Sequence, residues 1–146
     1  MSKPALDWSL HEKIPSSLDV GHATIERLLT ALEANLWEGR DLFHIQLAIE
    51  EAMVNAITHG NKQAANKVVE VEFRVDQQTT FMRIKDQGAG FNPAAVPDPR
   101  EDDHLECTNG RGVMLIRELM SEVRYNVRGN EVTMIKHRSK EKTDEV

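Results

Sequence analysis

An acid and an amide one helical turn apart, Glu51 and Asn55, are the residues of this 146-residue chain best spaced to act together. They lie between Phe43 and Gly60, a segment of good helix formers with apolar residues on more than one face. That pattern predicts a buried helix from about Asp41 to His59. Residues at i and i+4 share a face, so the two side chains project together. Glu50 points about 100° away, because 3.6 residues complete a turn. Emerging side by side from an apolar helix, a carboxylate and a carboxamide are costly unless something uses them. Taken alone, the pair reads more readily as a polar stripe, with Thr58 and Lys62 facing water. Two glycine motifs further along the chain reverse that balance.

The first motif runs from Asp86 through Gly88 and Gly90 to Phe91. Glycines at this spacing permit backbone angles and close approaches that a Cβ would block. One reading is a tight turn opened by an aspartate. The other is the floor of a ligand pocket. A carboxylate accepts hydrogen bonds and cannot donate them, so Asp86 suits the 6-amino group of adenine and repels the carbonyl of guanine. Such a bond to a charged group contributes roughly 1.5–3 kcal/mol. The second motif is Asn109, Gly110, Arg111, Gly112 and Val113. A glycine-flanked helix start offers unpaired backbone N–H groups and the positive end of the helix dipole, a natural phosphate site. Arg111 adds charge-assisted bonds there or faces solvent. No Gly-Lys-Ser/Thr follows, which excludes a Walker loop.

Apolar periodicity supplies the elements that must hold these motifs. Alternation over residues 6–14 predicts an edge strand ended by Pro15, with Trp8 and Leu10 as exposed apolar residues. Ser16 or Ser17 caps a first helix carrying Ile25, Leu28, Leu29, Leu32 and Leu36, which Gly39 closes. The Glu51/Asn55 helix follows. Period-two alternation of Val69, Val71, Phe73 and Val75, then of Met82 and Ile84, predicts a hairpin turning near Asp76. Residues 92–109 hold three prolines and several acids without periodicity, and are expected to form a long mobile loop. A third helix is expected to resume near Gly112, and a last hairpin from Val123 to His137 turns at Gly129 and Asn130. The order predicts an α+β two-layer sandwich: a mostly antiparallel sheet with three helices on one face. Residues 1–138 are expected to form one domain, with 139–146 a charged, frayed tail.

Composition narrows the function classes. The chain is 40% hydrophobic and 29% charged, which suits one domain with a real core. Its formal net charge of −6 argues against nonspecific nucleic-acid binding, which needs excess Lys and Arg. A single cysteine, Cys107, leaves no intrachain disulfide or cysteine-cluster metal site and fits a reducing compartment. The lack of a signal-like N-terminus or a membrane-length apolar run predicts a soluble, cytoplasmic protein.

The three motifs together resemble those of the superfamily that groups gyrase, heat-shock chaperone, histidine kinase and MutL ATPases. Glu51 to Asn55 resembles its N box, Asp86 to Phe91 its first glycine box, and Gly110 to Ile116 its second. The resemblance spans about residues 10–137 and implies a Bergerat-type ATP-binding fold with an ATP lid at about 92–109. The chain's small size is similar to the anti-sigma factor serine/threonine kinases of bacterial partner-switching systems. That likeness implies a homodimer that sequesters a sigma factor or similar regulator and phosphorylates a small antagonist protein on serine or threonine. No direct nucleic-acid or membrane partner is implied. His11 and His22 lack the setting of a phosphoacceptor histidine and are expected at the surface.

By this resemblance Asn55 coordinates Mg²⁺ and Glu51 is the general base. Asp86, Gly88 and Gly90 form the adenine site, and Gly110, Arg111, Gly112 and Val113 hold the phosphates of ATP. The alternatives are a binding module that uses ATP only to shape a protein interface, and a detached ATPase domain serving another assembly. Ser121 stands where the family often has Asp. Asn130 stands where superfamily members commonly have Thr, with a modest expected effect on binding. The acidic lid is expected to face outward or toward a partner.

Overall fold

The computed structural model describes residues 7–88 and 108–139, with side chains from Val113 onward in the second stretch. Gly90, Phe91, nearly all of the predicted lid and the tail from residue 140 lie outside the described residues. The elements are β1 (Trp8–Pro15), α1 (Leu18–Ala34), α2 (Gly39–Val54), a π-helical turn (Asn55–Gly60), β2 (Val68–Val75), β3 (Thr79–Lys85), α3 (Thr108–Leu119), β4 (Glu122–Tyr125) and β5 (Glu131–His137). The strands form one sheet in the order β1-β2-β3-β5-β4, every neighbouring pair antiparallel. Val69, Val71, Phe73 and Val75 alternate into the core with Met82 and Ile84 of β3, where Ile25, Leu28, Ile45, Ile49 and Ile116 of the helices meet them. The α+β two-layer fold expected from the sequence is therefore the one observed. Across the opposite face of the sheet, Arg83 donates to Glu70, Glu72 and Glu131 at 2.9, 3.1 and 2.7 Å, tying β2, β3 and β5 together.

Four local expectations need correction. Gly39 does not close α1. That helix ends at Ala34, and Asn35 and Leu36 (φ +69°) turn the chain so that Trp37 enters the core. The Trp37 indole donates to the carbonyl oxygen of Asp76 at 2.8 Å, and Gly39 (φ +64°) instead opens α2. Leu36, assigned to the helical stripe, is consequently 65% exposed. Leu10 is buried rather than displayed on the first strand, and Trp8 stacks on Phe73, because the even-numbered residues of β1 face the helices. Ser139, expected in the frayed tail, is tied to α2: its N–H and hydroxyl donate to Asp41 at 2.8 and 2.7 Å. Ser17 does cap α1 as expected, accepting from the Val20 N–H.

Asn61 closes the chain around the future site. Fully buried, it donates to Ser16 Oγ (2.7 Å) and to the Val68 carbonyl oxygen (2.9 Å), and its Oδ1 accepts from the Gln87 N–H (2.7 Å). One side chain thus joins the ends of β1 and the π turn to the start of β2 and the exit of β3. Asn61→Ala removes three hydrogen bonds at once, to Ser16, Val68 and Gln87, each contributing about 0.5–1.5 kcal/mol. The expected loss is about 2–4 kcal/mol, read from the midpoint of urea unfolding at unchanged slope.

Candidate active site

Regular α-helix ends at Val54, and the next turn is π-helical, as the bond from the Asn61 N–H back to the Ala56 carbonyl oxygen (2.8 Å) records. Single π turns inside helices recur at functional sites. Here the change of pitch falls on Asn55, which lines a cavity between α2, the end of β3, α3 and the β4–β5 turn. Among the described residues the buried Oδ1 of Asn55 has no hydrogen-bond partner. A buried acceptor left unpaired is costly, and an amide oxygen is a hard donor suited to Mg²⁺. Among the described residues no group of three His, Cys, Asp or Glu side chains gathers to hold a metal.

Glu51 sits one turn earlier, half-buried and outside the cavity lining. Its charge is felt by Tyr125, which does line the cavity. Burial pushes the Tyr125 phenol up to about 12, with Arg117 opposing and Glu51 adding to the rise. Of the expected shared face, Asn55 therefore lines the cavity and Glu51, one turn away, does not.

Across the cavity Asp86 is buried and meets two glycines. The Gly88 N–H donates to its Oδ1 at 2.7 Å. A Cβ on Gly60 would stand 2.4 Å from the Asp86 carboxylate, and one on Gly88 would stand 2.1 Å from the Gly60 carbonyl oxygen. Neither neighbour can yield cheaply, so the end of the π turn and the first glycine box interlock only without side chains. Gly88→Ala is expected to destabilise the fold by about 2 kcal/mol or more, seen as a lower urea midpoint together with weaker nucleotide binding. Burial pushes the Asp86 carboxyl above the usual range, opposed by the Gly88 N–H, Arg128 and Lys67. Asn130 pairs with Asp86 twice: its carbonyl oxygen accepts from the Asp86 N–H (2.9 Å), and its amide donates to the Asp86 carbonyl oxygen (2.8 Å).

The second glycine motif lies differently from expectation. α3 begins at Thr108 rather than near Gly112. Only the first four N–H groups, counted from the cap, lack an internal acceptor, so within α3 the free donors fall at residues 108–110. Gly110 retains a free amide, whereas those of Arg111, Gly112 and Val113 enter the helical ladder. Val113 contributes a buried side chain to the cavity wall instead. The Arg111 side chain and Gly90 lie outside what is described.

The sequence reading missed several cavity residues. Tyr125 reads as an ordinary strand residue, and no local pattern marks it. Lys62, assigned to a solvated stripe, is exposed at the cavity rim with His59. Lys62 and Gln63 are both left-handed (φ +55° and +56°), which swings the chain back past the cavity after the π turn. No helix among the described residues is long and apolar enough to cross a membrane.

Comparison with known proteins agrees with this geometry. Residues 14–136 match the family model described as the histidine kinase-like ATPase domain. The chain is similar to an anti-sigma F factor of Anoxybacillus flavithermus, 30% identical over 125 residues that cover 82% of this chain and 83% of the relative. It is similar also to the serine-protein kinase RsbW of Bacillus licheniformis, 30% identical over 115 residues that cover 72% and 70% of the two chains. Among solved structures it resembles the RsbU and RsbW domains of a Mycobacterium tuberculosis protein (TM-score 0.57, 18% identity), covering 90% of this chain and 32% of that longer one. At that identity the likeness speaks for the fold alone.

Proposed function

The chain belongs to the histidine kinase-like ATPase family, and from that premise we propose that it is an ATP-dependent serine/threonine kinase of a bacterial partner-switching system. In this reading it phosphorylates an antagonist protein and sequesters a sigma factor or similar regulator, acting in the cytoplasm as a homodimer. The observation that carries the nucleotide site is that Asn55, whose buried Oδ1 has no hydrogen-bond partner among the described residues, lines the same cavity as Asp86. The relatives named as an anti-sigma factor and a serine-protein kinase support the choice of branch.

Each residue then has a chemical task. Asp86 accepts from the adenine amino group, and the glycines beside it let the base lie close. Free amides at the start of α3 receive the phosphates. Asn55 offers its oxygen to Mg²⁺, which when bound neutralises phosphate charge and aligns the triphosphate. Glu51, one helical turn before Asn55, accepts the proton of the attacking serine or threonine hydroxyl as its oxygen bonds to the γ-phosphorus and ADP departs.

The test mixes the purified chain with γ-labelled ATP, Mg²⁺ and candidate antagonist proteins. Label on a serine or threonine is the expected result. Nucleotide binding without transfer would instead make the chain an ATP-shaped interaction module. Release of free phosphate alone would make it an ATPase.

A further inference from the structure

The β4–β5 turn, outside the predicted motifs, closes over the glycine box. Asn126 shapes it: its Oδ1 accepts from the N–H groups of Gly129 (2.7 Å), Asn130 (3.0 Å) and Glu131 (3.2 Å). From this turn Arg128 reaches back, and its Nη2 donates to the Gly88 carbonyl oxygen at 3.1 Å. The N–H of the same glycine holds Asp86 Oδ1. A guanidinium, one glycine and a buried carboxylate are thereby in series. We propose that Arg128 is a positioning residue of the nucleotide site, holding the glycine turn and its own positive charge against the base-reading carboxylate so that adenine binding survives a fall in pH. This rests on the reading of Asp86 as the adenine acceptor.

The sign follows from the groups around Asp86. Burial favours the neutral acid, while the Gly88 N–H, Arg128 and then Lys67 favour the carboxylate. His59, Lys62 and Glu131 line the same cavity. The carboxylate is the form that accepts from adenine. It is present above the folded-state pKa and lost as pH falls through it. Without Arg128 that loss begins at higher pH, and the Gly88 turn loses its anchor.

The experiment is calorimetric titration of the full chain with ADP from pH 5 to pH 8, for the wild type and for Arg128→Ala, Arg128→Lys and Asp86→Asn. Ionisation of the ADP phosphates is common to all four and cancels in the comparison. Arg128→Ala is expected to bind about tenfold more weakly at neutral pH, the effect of one lost charge-assisted bond. Its acid midpoint should rise by about one pH unit, as removing a nearby opposite charge produces. Arg128→Lys, which keeps the charge, should restore the midpoint. Wild-type affinity and midpoint in Arg128→Ala would overturn the proposal. So would weaker binding with an unmoved midpoint, because a purely structural prop would act alike at every pH. Full ADP affinity in Asp86→Asn would instead overturn the adenine reading itself. Thermal melting of each variant confirms that folded protein is compared.

Discussion

Glu51→Gln lowers transfer of label from γ-labelled ATP to the antagonist by about 10²–10⁴-fold, the contribution of a well-placed general base, and leaves nucleotide binding at the wild-type level. Glutamine keeps the size and shape of the side chain but does not take up a proton near neutral pH. Glu51 lies outside the cavity lining, so its loss should not disturb the base or the Asn55 oxygen. The defect should therefore appear in kcat and not in KM for ATP. Undiminished transfer would remove Glu51 from the chemistry. A parallel loss of binding would make it a structural residue. Binding with no transfer even in the wild type would favour the interaction-module reading.

Asp86→Asn has the next largest expected effect, a loss of about 1.5–3 kcal/mol in nucleotide binding, or roughly ten- to a hundredfold in Kd. The structure makes the direction firm. Oδ1 already receives the Gly88 N–H at 2.7 Å. An asparagine that satisfies this donor with its oxygen must point its NH₂ toward the adenine amino group. If it turns the other way, the NH₂ meets the Gly88 N–H. Either orientation sets donor against donor. Calorimetry with ADP measures the loss, and a variant that binds as tightly as the wild type would rule out Asp86 as the adenine reader. A guanine nucleotide, which presents a carbonyl there, should gain relative to adenine in this variant.

Both predictions rest on residues legible before any fold was known. The i, i+4 spacing of Glu51 and Asn55 and the Asp-x-Gly-x-Gly pattern are local, and local geometry dictates which side chains share a helix face or need a bare backbone. The alternation of β2 and β3 is equally local, which is why the two-layer fold could be read from the chain. The helix ends were less legible. Gly39 looks like a C-terminal stop, yet burying Trp37 under α1 ended that helix earlier and moved the glycine to the start of the next. α3 begins upstream of its glycines because a helix can start on weak local signals when its buried face is held by α2 and the sheet.

What the sequence determined by itself was the set of elements, the core face of β2 and β3 and the motif residues, because these follow from hydrophobic period and backbone sterics within a few residues. What only the tertiary structure decided was which long-range neighbours complete the site. The Asn130 clasp on Asp86, the 2.1 Å space that forbids a Cβ at Gly88, Tyr125 on the wall of the Asn55 cavity and the reach of Arg128 all join residues far apart in the chain. Contacts of that kind depend on how β5 pairs with β3 and how the π turn tilts Gly60 onto the glycine box, and no short-range pattern encodes either.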